Sequence, residues 1–246
     1  MEWGLLLLVT FVAATVQSAT GFGFGLIAVS AFLIVLNSAA AIQLVMIITL
    51  AMSVSHWFKL RGLAPKALLN WLSVGCCLGF PLGIYAYQSL DLDTIKATVA
   101  VLIILISLQN AWQLWRGRQD PQPEEYECHR GAVMGVGIAS GAMASSVAMP
   151  GPAVMLYLSR SALTKNEIRA TILTFFLISY GGALLLQGTM VGIQAQTWLT
   201  AAVLTPAALL GVVAGHLLSN KINQQLFKAL VLAILLLTGL LMLLNL

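Results

Sequence analysis

The groups in this chain best placed to do chemistry are backbone groups rather than side chains. Residues 140–152 read Ser-Gly-Ala-Met-Ala-Ser-Ser-Val-Ala-Met-Pro-Gly-Pro, and a fainter echo, Gly21-Phe22-Gly23-Phe24-Gly25, lies near the start. Both runs sit inside long apolar stretches where an uninterrupted helix would be the default. Pro150 and Pro152 remove backbone donors and clash with the preceding turn, while Gly141 and Gly151 weaken a helix. In a bilayer, freed backbone groups are tolerated only inside protein or beside a water-filled cavity, so a broken segment at membrane depth points to a substrate site. A half-helix N-terminus presents unpaired N–H groups and a positive partial charge, which together hold an anion without a buried cation. Thr20, Ser145 and Ser146 would add hydroxyl donors. A proline-kinked packing helix is the simpler reading of one such run. Two runs at corresponding places in two halves favour a site.

Side-chain catalysis is hard to build. The carboxylates are Glu2, Asp91, Asp93, Asp120, Glu124, Glu125, Glu127 and Glu167, and none lies centrally in an apolar stretch. His56, His129 and His216 fall near the ends of such stretches or in a polar linker. Ser145 and Ser146 lack a nearby His and acidic partner in sequence, and no metal-binding motif occurs. Cys76 and Cys77 are adjacent in an apolar stretch and Cys128 stands alone, which is neither a disulfide framework nor a metal spacing. We therefore expect no enzyme and no cofactor. An intramembrane hydrolase using Ser145 and a non-transporting membrane scaffold or assembly factor are the alternatives. Missing intramembrane acids also bear on energetics, because Asp or Glu is the usual proton or sodium relay. An anion leaving a negative interior needs no such relay, since the membrane potential drives it outward.

The elements that must position these groups follow from composition. Of 246 residues, 60% are hydrophobic and 8% charged, against about 25% charged in soluble domains. Such a chain must sit in a lipid bilayer. The net charge of +4 does not imply nucleic acid, because the basic residues lie in short loops, where they mark topology. Residues 3–20 resemble a signal peptide ending Val-Gln-Ser-Ala, yet Glu2 replaces the basic start and the apolar run continues past Gly25, so cleavage is not expected.

Residues 3–36 would make a helix about 51 Å long, too long for one crossing and short for two, which predicts two short helices meeting at the glycine run. Apolar spans follow at 39–58, 67–88 and 95–115. Gly75, Gly79 and Gly83, four apart, let a neighbouring helix approach closely. A hydrophilic linker, 116–130, then divides the chain into a first repeat (1–115) and a second (131–246). The second repeats the plan, with the broken segment at 131–158 and spans at 168–187, 197–218 and 226–245. Gly79, Gly83 and Lys96 recur at one constant offset as Gly211, Gly215 and Lys228. Gly25 and Gln43 recur at a second, slightly shorter offset as Gly151 and Arg169. The basic loops at 59–66 and 159–167, the linker and Lys221 all attract a cytoplasmic assignment. They share one side if each broken segment is a hairpin or re-entrant pair. Each repeat then has an odd number of crossings and the halves are inverted, a common transporter plan. The expected fold is thus an all-α integral membrane protein of two homologous, inverted repeats. Each begins with a broken or re-entrant glycine-rich segment followed by three transmembrane helices.

Arg169 lies two residues inside the span at 168–187. It reads either as a snorkelling interfacial arginine beside Glu167 or as an anion-attracting group near the broken segment. At these residues the chain resembles the sulfite exporter family TauE/SafE over nearly its whole length. Family members carry a glycine-rich run in each half, and the second often reads like Gly-Gly-Pro-Pro followed by an apolar stretch and Tyr-Leu. Met149-Pro150-Gly151-Pro152-Ala153-Val154-Met155-Leu156-Tyr157-Leu158 is the counterpart here, with Arg169-Ala170-Thr171 downstream and Gly21–Gly25 as the first-half cluster. Phe24, Ser30, Met149 and Gly151 depart from that pattern. The resemblance implies a permease for sulfite or another small sulfur-containing anion, in the inner membrane, working as an exporter, with oligomeric state left open. The expected binding residues are Thr20, Gly21, Gly23, Gly25, Ser145, Ser146, Pro150, Gly151, Pro152 and Arg169, the two runs facing each other near the midplane.

Overall fold

The structure, a computed structural model, describes residues 2–60, 62–115, 129–159, 161, 163–218 and 224–244. These form helices and no strand: α1 (Glu2–Thr20), α2 (Phe24–Leu36), α3 (Ala40–Leu60), α4 (Lys66–Ser89), α5 (Leu92–Trp115), α6 (Arg130–Val147), α7 (Gly151–Leu158), α8 (Lys165–Met190), α9 (Ala195–Leu218) and α10 (Gln224–Leu244). By length and composition, α1, α4, α5, α8 and α9 are able to cross a membrane. The chain is an all-helical, multi-pass membrane protein. Leu78, Leu82 and Tyr85 on α4, like Leu210 and Leu217 on α9, are exposed, as lipid-facing positions should be. The linker residues 116–128, with Cys128, and Arg61, Arg160 and Lys221 lie outside the described residues, as do the side chains of His56 and Lys228.

The helices α3 to α5 and α8 to α10 fall within a few residues of where apolar runs and turn residues put them, although α3 and α10, expected as spans, are not among those that length and composition mark as able to cross. The first segment differs. α1 has 19 residues and is long enough to cross, so only α2, with 13, is a short helix. The polar run Gln17–Thr20 does not break α1, because a threonine hydroxyl can return its hydrogen bond to the preceding turn, as Thr20 does to the Val16 carbonyl at 2.9 Å. The break waits for Gly21.

The helices gather into two compact units, each drawing on both halves of the sequence. One contains α1, α2, α5, α10 and α9 from Ala202 onward; the other contains α3 from Gln43, α4, α6, α7 and α8. In the first unit, α10 packs on α5 and α2, and α1 packs on α2, around buried Phe24, Phe32, Leu33, Val99, Ile103 and Met242. Gly211 and Gly215 on α9 lie against α1: a Cβ at Gly211 would come 2.8 Å from Ala14 Cβ, and one at Gly215 the same distance from Ser18 Cβ. At the far end of α2, Asn37 adopts a left-handed conformation (φ 46°). Its Oδ1 accepts a 2.6 Å hydrogen bond from Lys96, a lysine only 8% exposed. A cation suits the negative end of a helix.

In the second unit, the tightest pairing joins α4 to α6. Gly75, Gly79 and Gly83 on α4 meet the backbone at Met134, Ile138 and Ala142, while Gly137 and Gly141 on α6 meet Leu72 and Cys76 in return. Gly141 is therefore a packing residue inside α6, not part of the break as its sequence context suggests. α8 packs along α4, α6 and α7, with Phe176 and Tyr180 in edge-on ring contact at 5.5 Å. Arg130, at the start of α6, stacks over Trp71 at 5.7 Å.

Candidate functional site

In the second unit, α6 stops at Val147 and Ala148 turns left-handed (φ 54°). The N–H groups of Ala148 and Met149 fold back onto the carbonyls of Ala144 and Met143, each at 3.2 Å. α7 then starts at Gly151 with Pro150 as its N-cap and Pro152 in its first turn. Proline is at home there, because those first N–H groups have no intrahelical acceptor anyway. Pro150 and Pro152 lack an N–H, which leaves the Gly151 and Ala153 N–H groups at the open positive end. No side chain caps that end.

The opposite, carbonyl-bearing end of the break is tied down by α8. Tyr180 donates its hydroxyl to the Ala148 carbonyl at 2.8 Å, and Gln187 donates Nε2 to the Ser145 carbonyl at 2.7 Å. Both side chains are buried, and they stand two helical turns apart on α8. The negative dipole end is thus neutralised and the positive end left open, the right polarity for an anion.

In the first unit, α1 ends at Thr20, and Gly21 (φ 93°) donates its N–H to the Gln17 carbonyl at 2.7 Å. Gly23 (φ 116°) is the N-cap of α2, again with no side-chain cap. Angles this far positive suit glycine alone. Gly23, Phe24, Gly25 and Leu26 are all buried, so this helix start too is held away from bulk solvent. Gln17 is 1% exposed and its Nε2 has no partner.

The two breaks match each other in detail. Gly21 and Ala148, both at positive φ, stand at the same offset in the chain as Phe24 and Gly151, the first residues of the second helices. Ser18 and Ser145 share that offset too. Ser18 donates to the Val212 carbonyl at 2.8 Å and Ser145 to the Phe80 carbonyl at 3.0 Å. Phe80 and Val212 are themselves spaced like Gly79 and Gly211 on the same two helices. The geometric register of the breaks therefore pairs Phe24 with Gly151, one residue away from the Gly25–Gly151 pairing that the sequence suggests. Residue type aligns the wrong glycine.

The sequence-derived site residues divide accordingly. Thr20, Gly21, Gly23 and Gly25 lie at the first break. Ser145, Ser146, Pro150, Gly151 and Pro152 lie at the second. Arg169 is half-buried in α8, eleven residues before Tyr180 and so about 16 Å along the axis from the break. Ser146 donates to the Ala142 carbonyl at 2.7 Å, and the Thr20 hydroxyl has the Phe22 carbonyl at 2.6 Å as a second acceptor beside that of Val16, its one proton shared between them. These hydroxyls thus already have backbone acceptors. Gln17, Tyr180 and Gln187 are the residues that sequence reasoning passes over. Gln187 reads there as no more than the polar end of a span. Among the described residues, no three or more His, Cys, Asp or Glu side chains gather where a metal could bind.

A family model described as Sulfite exporter TauE/SafE matches residues 6–242. Comparison with curated proteins and with solved structures finds no match.

Proposed function

The chain belongs to the TauE/SafE sulfite exporter family, and from that premise we propose that it carries sulfite or a related small oxyanion or organosulfonate out across the inner membrane. The family is one of membrane transporters, and this member is an all-helical multi-pass protein. What carries the reading is the pair of breaks, each an uncapped, buried helix start with its neighbouring hydroxyl bound to the same kind of carbonyl. A helix packed only for stability has no use for an uncapped positive end, and two at one register make chance kinking a poor account. The matched register also supports duplication of the half-chain. Inversion of the halves is part of the proposal, since it places the basic loops on one side.

Each break would bind through backbone N–H groups, with Gly21, Gly23 and Gly25, or Gly151, keeping side-chain bulk away. Pro150 and Pro152 stop the segment from closing into a continuous helix. Thr20, Ser145 and Ser146 shape the breaks through the carbonyls they hold. The unpaired Gln17 Nε2 supplies one further donor. Arg169, off the break, would attract anions toward the path. The test is a proteoliposome flux panel of sulfite, sulfate, thiosulfate, taurine and sulfoacetate at controlled voltage. Flux of at least one above that of empty liposomes is expected. Flux of none overturns the proposal and leaves a scaffold role.

A further inference from the structure

Helix N-termini attract any oxyanion, so they do not explain how one is chosen over another. The second break holds a group of the opposite kind. Gln187 is fully buried on α8, and its Nε2 donates to the Ser145 carbonyl at 2.7 Å. A carbonyl only accepts, so this bond decides which end of the amide faces Ser145. The other end, Oε1, is a buried acceptor that no donor meets. It belongs to the same carboxamide, so it lies at the break and not elsewhere on α8. The Tyr180 hydroxyl, the neighbouring donor on this helix, is already given to Ala148.

An unpaired carbonyl oxygen in such a place does two things. It repels an anion whose whole surface is acceptor, and it rewards one that brings a donor of its own. Left unpaired it destabilises the break, so a cargo that meets it is favoured by relieving that cost. We propose that Gln187 Oε1 reads a hydrogen-bond donor on the cargo. The preferred substrates then carry their own donor: hydrogensulfite and hydroxyl-bearing sulfonates, both monoanions, or a zwitterionic ammonium sulfonate. Sulfate and simple alkanesulfonates are selected against. This inference rests on the transport reading above and adds the chemical class of its substrate.

Isethionate and ethanesulfonate test it, being monoanions of nearly equal size that differ by one hydroxyl. Each is titrated as a competitor of labelled sulfite flux in proteoliposomes of the full chain. Isethionate should inhibit at about tenfold lower concentration, the scale of one hydrogen bond to an otherwise unpaired buried group. In Gln187→Met, which keeps length and removes the acceptor, that preference should fall to within about twofold. Equal inhibition by the two anions in the wild type, inhibition by neither, or an unchanged preference in Gln187→Met overturns the inference while transport itself stands. If the Met variant does not reach the membrane, the wild-type preference alone decides between these outcomes. No sulfite flux at all overturns the transport reading, and this inference with it.

Discussion

At Gly151 the chain needs an absence of side chain more than any property of one. The residue is buried, opens α7, and carries one of the two N–H groups left free by its flanking prolines. Gly151→Leu should therefore abolish anion flux while the protein still reaches the membrane, read by transport assay beside quantified membrane protein. Gly131→Leu is the matching control, because a Cβ there meets nothing within 4 Å, and it should keep most of the activity. An active Gly151→Leu would move the site elsewhere and reduce Pro150 and Pro152 to a kink. The glycines and prolines of the breaks are readable from sequence because backbone chemistry is written in residue type. Gln17, Tyr180 and Gln187 are not, since a polar residue within a long apolar stretch says nothing about which face a neighbour covers. Their meaning comes from burial, and burial is set by residues distant in sequence.

Between helices, the decisive feature is backbone lying against backbone. Gly79 on α4 and Gly211 on α9 each face another helix with no space for a methyl group. Overpacking of this kind costs about 1–3 kcal/mol, and more where the obstructing atom is backbone. Gly79→Ala and Gly211→Ala should each lower the unfolding midpoint in detergent, whereas Gly135→Ala, where a Cβ meets nothing within 4 Å, should not. Equal midpoints for all three would show that the helices slip apart at little cost. The four-residue glycine spacing on α4 announces this seam in the sequence. Its partners on α6 do not announce themselves, because Gly141 sits in a run already rich in breakers and reads as one of them. Orientation belongs to the same scale. If the halves are inverted, single cysteines placed at 59–66, 116–130 and 159–167 should all label from the cytoplasmic side, and both termini from outside. Labelling of 59–66 and 159–167 from opposite faces removes the inversion.

For the molecule as a whole, the spans are readable because hydropathy is a local quantity. That the two compact units interleave helices from both halves is not, because it depends on contacts between residues far apart in the chain. Energy coupling is also a property of the whole. Among the described acids, Glu2 is the first residue of α1, Asp91 and Asp93 lie at the start of α5, and Glu167 is engaged in a capping box with Thr164 at the start of α8. Acids spent on helix starts leave the membrane potential as the simplest driving force for a monoanion. Each unit charge gains about 2.3 kcal/mol per 100 mV, which corresponds to roughly a fiftyfold accumulation ratio at equilibrium. Proteoliposomes loaded with labelled sulfite, with the potential set by a potassium gradient and valinomycin, should release it faster when the interior is negative. Reversing the sign should slow release, and collapsing a pH gradient at fixed voltage should change it little. Release indifferent to voltage but following the pH gradient would mean electroneutral export with a proton.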